Sequence, residues 1–292
     1  MANVNSQWSI AIYGGASPLA LSPHPRAVNP VLTGRDVIDA DASFVADPFM
    51  IFDAASLRWS MYFEVMDRAA RRGRIGMAIS EDGLAWRYQG IVLAEPFHLS
   101  YPFVFEHEGE RYMIPESCAA DQIRLYRAAQ FPDVWTLDAV LLEGLAAADT
   151  SLLRHDGRWW MFSCTRPDQQ DVLRLWSSES LHGPWREHPR SPLVDGDRTR
   201  ARPAGRPLCA DARLYRFAQD CGADYGTSVR AVEITLLTAD DYAERDALPE
   251  PLFGPGPEEW NARRMHHVDA HRIGDGRWIA CVDGDRPRRP RH

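Results

Sequence analysis

Short apolar runs recur along this chain in pairs. Each pair is broken by a turn-like polar stretch, and five times the second run opens on an aromatic. These are Trp59 in SLRWSMYF, Tyr112 in EGERYMI, Trp159 in DGRWWMF, Tyr215 in DARLYRF and Trp278 in DGRWIAC, spaced 53, 47, 56 and 63 positions apart. Upstream of each lies another strand-like segment that carries polar groups: FVADPF, LSYPFVF, AADTSLL, ARPAGRP and HHVDAHR. A strand–turn–strand unit of this length cannot bury its own apolar face, and radial stacking of such units makes a β-propeller. Five repeats predict an all-β, five-bladed β-propeller whose innermost strands deliver polar residues to one central funnel.

The pattern also sets the organisation. One domain is expected over 1–292, with blades starting near 41, 98, 146, 200 and 264 and with 1–40 closing the ring. ISEDGLAWRYQGIVL at 79–93 carries a DG turn between β-rich runs, a strong hairpin cue. Gly183-Pro184 marks a corresponding turn at a blade edge. Segment 240–248, DDYAERDAL, reads as a short helical insertion.

Composition narrows the function. Hydrophobic residues at 45% and aromatics at 10% fill a sizeable core, with ten tryptophans suited to sheet packing. A net charge of −8 argues against a nucleic-acid surface, which needs clustered Lys and Arg. The basic tail RPRRPRH reads as a solvated terminus. No stretch approaches 18 apolar residues, and the opening lacks a signal-peptide pattern, so a cytoplasmic protein without a membrane span is expected. Five cysteines without CxxC spacing argue against a disulfide framework or a zinc site. There is no GxSxG, Walker loop or GxGxxG, and no cofactor is expected.

Several residues are candidates for chemistry at the funnel. General acid–base chemistry can use two carboxyls, one protonated and one ionised. Asp47, before a proline on the first inner strand, is the candidate for the ionised member. Glu116 follows Pro115 in a largely apolar run, so desolvation would raise its pKa and make it the acid; Glu64 competes by the same logic. Arg202 and Arg206 could hold anionic or hydroxyl groups, or satisfy carboxylates such as Asp220. His267, Asp269 and His271 share a strand face at period two, a spacing compatible with a cation near His267. His98 and Tyr101 in HLSYPF could stack on or hydrogen-bond a ligand ring.

Together these motifs resemble a known family. ADPF at 46–49 is similar to the first-blade signature of the five-bladed glycoside hydrolase families 43, 32 and 68. VNPVLTGRDV, VADPF, HLSYPFVF, YMIPES, RLYRA, GPWREH, ARPAGR, YRFAQDC, YG and HHVDA resemble more closely the N-terminal domain of glucosamine inositolphosphorylceramide transferase and its stand-alone bacterial relatives. The resemblance runs from about residue 28 to 284. It implies the propeller fold, Asp47 as base or nucleophile, Asp149 as a third acidic residue that tunes the acid, and a funnel histidine near a cation. The Glu-Cys-Pro and Glu-Gly-Pro acid motifs of families 32 and 43 are absent here. Two readings follow. One is a carbohydrate-active enzyme, glycosidase or transglycosylase, acting on a polysaccharide or glycolipid-linked sugar. The other is a non-catalytic sugar-recognition propeller that partners a glycosyltransferase, since sugar transfer in the larger protein belongs to a separate domain.

Overall fold

The computed structural model describes residues 6–274 and 276–287. Among the described residues twenty-two strands form five antiparallel sheets. Blade 1 is Ala42–Asp53, Arg58–Asp67, Arg72–Ser80 and Arg87–Leu93, from the axis outwards. Blade 2 is Ser100–His107, Glu110–Glu116, Gln122–Gln130 and Val134–Glu143. Blade 3 is Ala148–His155, Arg158–Cys164 and Val172–Ser178, and the short strands Arg186–Glu187 and Val194–Asp195 both pair with its third strand. Blade 4 splits its innermost strand into Arg202–Pro203 and Leu208–Ala210, followed by Arg213–Asp220, Ser228–Leu237 and Tyr242–Asp246. Blade 5 joins the two ends of the chain: Val268–Arg272 and Trp278–Asp285 are continued outwards by Trp8–Ser17 and Ala20–Pro23. The fold is thus an all-β five-bladed propeller. Its described helical turns are three single 3-10 turns.

Each of the five marker aromatics lies at the start of a second strand, where it packs the blade. Trp59 meets His271 of blade 5 edge-on at 5.6 Å, and Trp159 meets Phe105 and His107 of blade 2 at 5.7 and 5.0 Å. Rings at the seams let one side chain cover two sheets, which single blades lack the surface to do.

Two local expectations change. The Arg72–Ser80 and Arg87–Leu93 strands do pair, but through a six-residue loop at 81–86 instead of a tight two-residue turn. Asp82 holds that loop by accepting from the amides of Leu84 and Ala85. The expected helix at 240–248 is instead the strand Tyr242–Asp246, paired with Ser228–Leu237. Alternation decides it. Tyr242 and Glu244 face inwards together, and Glu244 accepts two bonds from the buried Arg216 at 2.7 and 2.6 Å. A helix would place those two side chains on different faces.

The blades meet most tightly at Gly205, where a Cβ would stand 1.7 Å from the Val268 carbonyl oxygen and the backbone has φ +133°. That contact bridges blades 4 and 5. Trp159→Ala is expected to lose about 3–5 kcal/mol of unfolding free energy in urea titrations, as for other buried aromatics.

Candidate functional site

The same local device aims side chains into the axis on the first three blades. Ala46 pairs with Glu64 and Phe49 with Tyr62, so Asp47 and Pro48 face a single residue of the neighbouring strand. Ser100 and Phe103 in blade 2, and Ala148 and Ser151 in blade 3, bracket the same two-against-one bulge. The first bulged residue has positive φ each time: Asp47 at +53°, Tyr101 at +45° and Asp149 at +53°. A bulge redirects one side chain without ending the strand. Asp tolerates this backbone region, whereas Tyr101 is held there by its bonds.

Three levels follow along the axis. The upper one gathers five carboxyls: Asp47, Glu64, Glu116, Asp149 and Asp283. Arg202, 6% exposed, donates from Nε to Asp149 at 2.5 Å and from Nη2 to Glu116 at 3.4 Å. Gln219 donates to the same Asp149 oxygen at 2.8 Å. Tyr225 lies under the Arg202 guanidinium at 5.1 Å. Opposite, His266 Nδ1 sits 2.8 Å from Asp283, and its Nε2 is 3.7 Å from Asp47. Trp8 stacks flat on His266 at 3.9 Å and 12°. The Asp47 amide donates to Asp283 at 3.0 Å, which ties the bulge to blade 5.

Charge is unbalanced here, because Arg202 and His266 face five acids. Burial therefore dominates. It lifts Asp47 to about 7, against the pull of His266, and lifts Asp149 to about 7 against that of Arg202. Glu64 is raised well above its ordinary value by desolvation, with the charge of Asp47 adding to it. Its Oε1 is buried without a hydrogen-bond partner among the described residues. Asp283 is pulled below its ordinary value by His266 against desolvation, and His266 is raised by Asp283 against its own burial. His98 accepts from the Gly73 amide at Nδ1 (2.8 Å), leaving Nε2 3.6 Å from Glu64. Desolvation holds His98 neutral, at about 4. Gly73 makes this approach possible, since a Cβ there would stand 2.8 Å from both Glu64 and His98.

A floor closes the upper level. Tyr101, Phe49 and His267 meet edge to face at 4.6 to 5.3 Å. The Tyr101 hydroxyl accepts from the Gly205 amide at 2.6 Å and bonds Ser151 at 2.8 Å. It is a wall residue with its polar tip already engaged. His267 is fully buried, desolvation lowers its pKa to about 4, and neither ring nitrogen has a hydrogen-bond partner among the described residues. Below the floor, Asp269 accepts from Arg206 at 2.6 Å, the Met50 amide at 2.8 Å and His271 at 2.9 Å. Arg206 and His271 hold Asp269 far below its usual range despite its burial.

Arg202 and Arg206 are therefore not one clamp. Gly205 lies between them and donates its amide to the Tyr101 hydroxyl, and each arginine has its own carboxylate, Asp149 for Arg202 and Asp269 for Arg206. Asp220 pairs with Arg230 at 2.9 Å and meets neither arginine. Among the described residues one cluster could hold a cation: Asp47, His266 and Asp283, with ligand atoms within 4.8 Å of one another. It lies above His267, and the Asp283–His266 bond already occupies one ring nitrogen. In the sequence His266, Gln219 and Tyr225 appear only inside the motifs HHVDA, YRFAQDC and YG, and Trp8 carries no signal. Trp8 reaches the site only because the first strand completes the last blade.

The family model described as "Glucosamine inositolphosphorylceramide transferase 1, N-terminal" matches residues 2–285. The chain belongs to this family. The rice (Oryza sativa subsp. japonica) glucosamine inositolphosphorylceramide transferase 1 is 39% identical over 96% of this chain and 40% of its own length. The Arabidopsis thaliana protein of that name is 36% identical over 96% and 39%. The chain thus spans about two fifths of these transferases. Among solved structures, a family 117 glycoside hydrolase from Zobellia galactanivorans superposes with TM-score 0.56 at 14% identity, covering 97% of this chain and 91% of that one. An exo-β-1,3-galactanase from Clostridium thermocellum gives TM-score 0.56 at 12% identity, covering 76% and 56%. At such identities the likeness is one of fold, so this transferase N-terminal family shares the propeller of glycoside hydrolases.

Two outcomes test this electrostatic frame. Arg202→Ala leaves Asp149 buried without its cation and is expected to cost about 3–5 kcal/mol in chemical denaturation. Asp47 has an ordinary value of 3.8 but titrates at about 7 when folded, so between these values the folded state holds the extra proton. Stability therefore falls as pH rises through that window. Melting temperatures measured from pH 4 to 7 should fall less steeply in Asp47→Asn than in the parent.

Proposed function

We propose that the upper level is a saccharide-processing site of glycosidase type, with Glu64 as proton donor and Asp47 as base or nucleophile. The observation that carries this reading is the pairing of unlike carboxyls. Glu64 is 2% exposed with an unpartnered oxygen, while Asp47, across the same strand pair, has His266 beside it favouring its charged form. The first proton lost from such a pair leaves Asp47, and Glu64 keeps its own for a leaving group. Glu116 lacks that unpaired, desolvated oxygen, because Arg202 partners it. Asp149, Arg202 and Gln219 form the frame that orients the substrate. The surplus of carboxyls favours a neutral or cationic sugar over an anionic one. The name of the relatives makes a glucosamine-bearing glycolipid headgroup the first saccharide to try, since its ammonium would suit this charge.

A second reading has its own support, because the chain matches only the N-terminal two fifths of proteins named as transferases. In that reading the propeller recognises the sugar and a glycosyltransferase acts on it.

Turnover of aryl and unactivated glucosaminides separates the two. Under the enzyme reading, Glu64→Gln slows unactivated substrates by roughly 10²–10⁴ while sparing activated aryl ones. Asp47→Asn slows both. Equal losses on both classes in Glu64→Gln would remove it as the acid. Saturable glucosamine binding without turnover of any substrate would establish the recognition reading.

A further inference from the structure

On the flank of blade 5, away from the carboxyls, the strand Trp8–Ser17, residues 23–29 and residues 253–265 line a cleft of about 550 Å³, within the range of small-molecule sites. Its inner wall is apolar and aromatic: Tyr13, Phe253, Trp260 and Met265. Tyr13 and Phe253 meet edge to face at 5.4 Å. The exposed Glu258 stands at the rim.

One polar side chain in this wall is out of place. Asn261 is 2% exposed, and its Oδ1 has no hydrogen-bond partner among the described residues. Its Nδ2 reaches the Tyr13 hydroxyl at 3.5 Å and the Met265 sulfur at 3.6 Å, both long. Turning the amide over exchanges which atom lacks a partner and leaves the deficit in place. The Tyr13 hydroxyl is little better served, with the Met265 sulfur at 3.9 Å. An unpaired buried amide is destabilising. The backbone nevertheless makes room for it. A Cβ on Gly256 would stand 2.4 Å from Asn261 Nδ2, and one on Gly284 would stand 2.6 Å from Trp260.

We propose that this cleft is a second binding site that takes a neutral pyranose ring. The apolar ring face packs on the aromatic wall, one hydroxyl donates to Asn261 Oδ1, and another donates to Glu258 at the rim. The wall supplies apolar area, the amide supplies the acceptor that fixes orientation, and the Glu258 charge disfavours acidic sugars. The site is independent of the carboxyl cluster and stands whether or not the funnel is catalytic.

The test is a titration of the full chain with methyl β-D-glucopyranoside and methyl β-D-galactopyranoside, followed on the tryptophan indole N–H resonances. A saturable shift of the Trp260 resonance is expected, with a midpoint on the order of 1 mM. It should persist in Asp47→Asn, which alters only the funnel. Gly254→Phe should abolish it by filling the cleft; a Cβ at Gly254 meets nothing closer than Ser228 at 3.6 Å, so the fold tolerates the change. Asn261→Leu should abolish binding while keeping or raising the melting temperature, because it replaces an unsatisfied amide by an apolar group of similar shape. No shift with either pyranoside, a shift that survives Gly254→Phe, or a melting temperature several degrees lower in Asn261→Leu would each overturn the proposal.

Discussion

The buried contact between Arg202 and Asp149 is the interaction on which the centre of this propeller depends. It joins blades 3 and 4 at the axis, and Gln219 and Glu116 are arranged around it. A guanidinium taken out of water must be paired, and its planar fork lets one cation engage two carboxyls. Yet one arginine cannot neutralise five acids. The remainder of the charge is managed by protonation, by the Asp283–His266 pair and by the flat stack of Trp8 on His266. The chemistry available to the upper level follows from that shortage of cations.

Strand geometry divides the axis. The bulges at Asp47, Tyr101 and Asp149 share one backbone conformation, but the side chains they carry then diverge. Two blades present carboxyls, whereas the third presents a tyrosine whose hydroxyl is spent on Ser151 and the Gly205 backbone. That aromatic floor separates the upper acids from the Arg206–Asp269–His271 group. The lower group is saturated with its own hydrogen bonds and has the character of a structural clasp. An acid with three donors is stabilised in its charged form, while an acid with an unpartnered oxygen keeps its proton.

The fold class was legible in the chain because its cause is local and repeated. Trp59, Tyr112, Trp159, Tyr215 and Trp278 mark the second strand of each blade. The helix expected at 240–248 shows where local composition misleads. DDYAERDAL contains good helix formers, but Arg216, two strands away across Ser228–Leu237, pairs with Glu244 at strand spacing, and tertiary pairing overrides a weak propensity. Likewise, period-two spacing put His267 and Asp269 on one face of a strand. The chain leaves that strand's ladder just before Val268, and His267 turns into the floor instead.

What the sequence by itself determined is therefore the repeat, the all-β class and the set of polar residues carried by inner and second strands. Those depend on neighbours within about ten residues, where alternation and turns act directly. Only the tertiary structure decided which of those residues meet. Arg202 and Arg206 look like one pair in ARPAGR but lie on opposite sides of the Tyr101 floor. Trp8 and His266 are 258 residues apart and stack face to face. Glu64 and Glu116 occupy equivalent positions on second strands, each opposite the residue before a bulge, and they differ because Arg202 reaches one and not the other. Burial and the position of a charge several ångströms away are properties of the closed ring, and a local pattern of residues does not encode them.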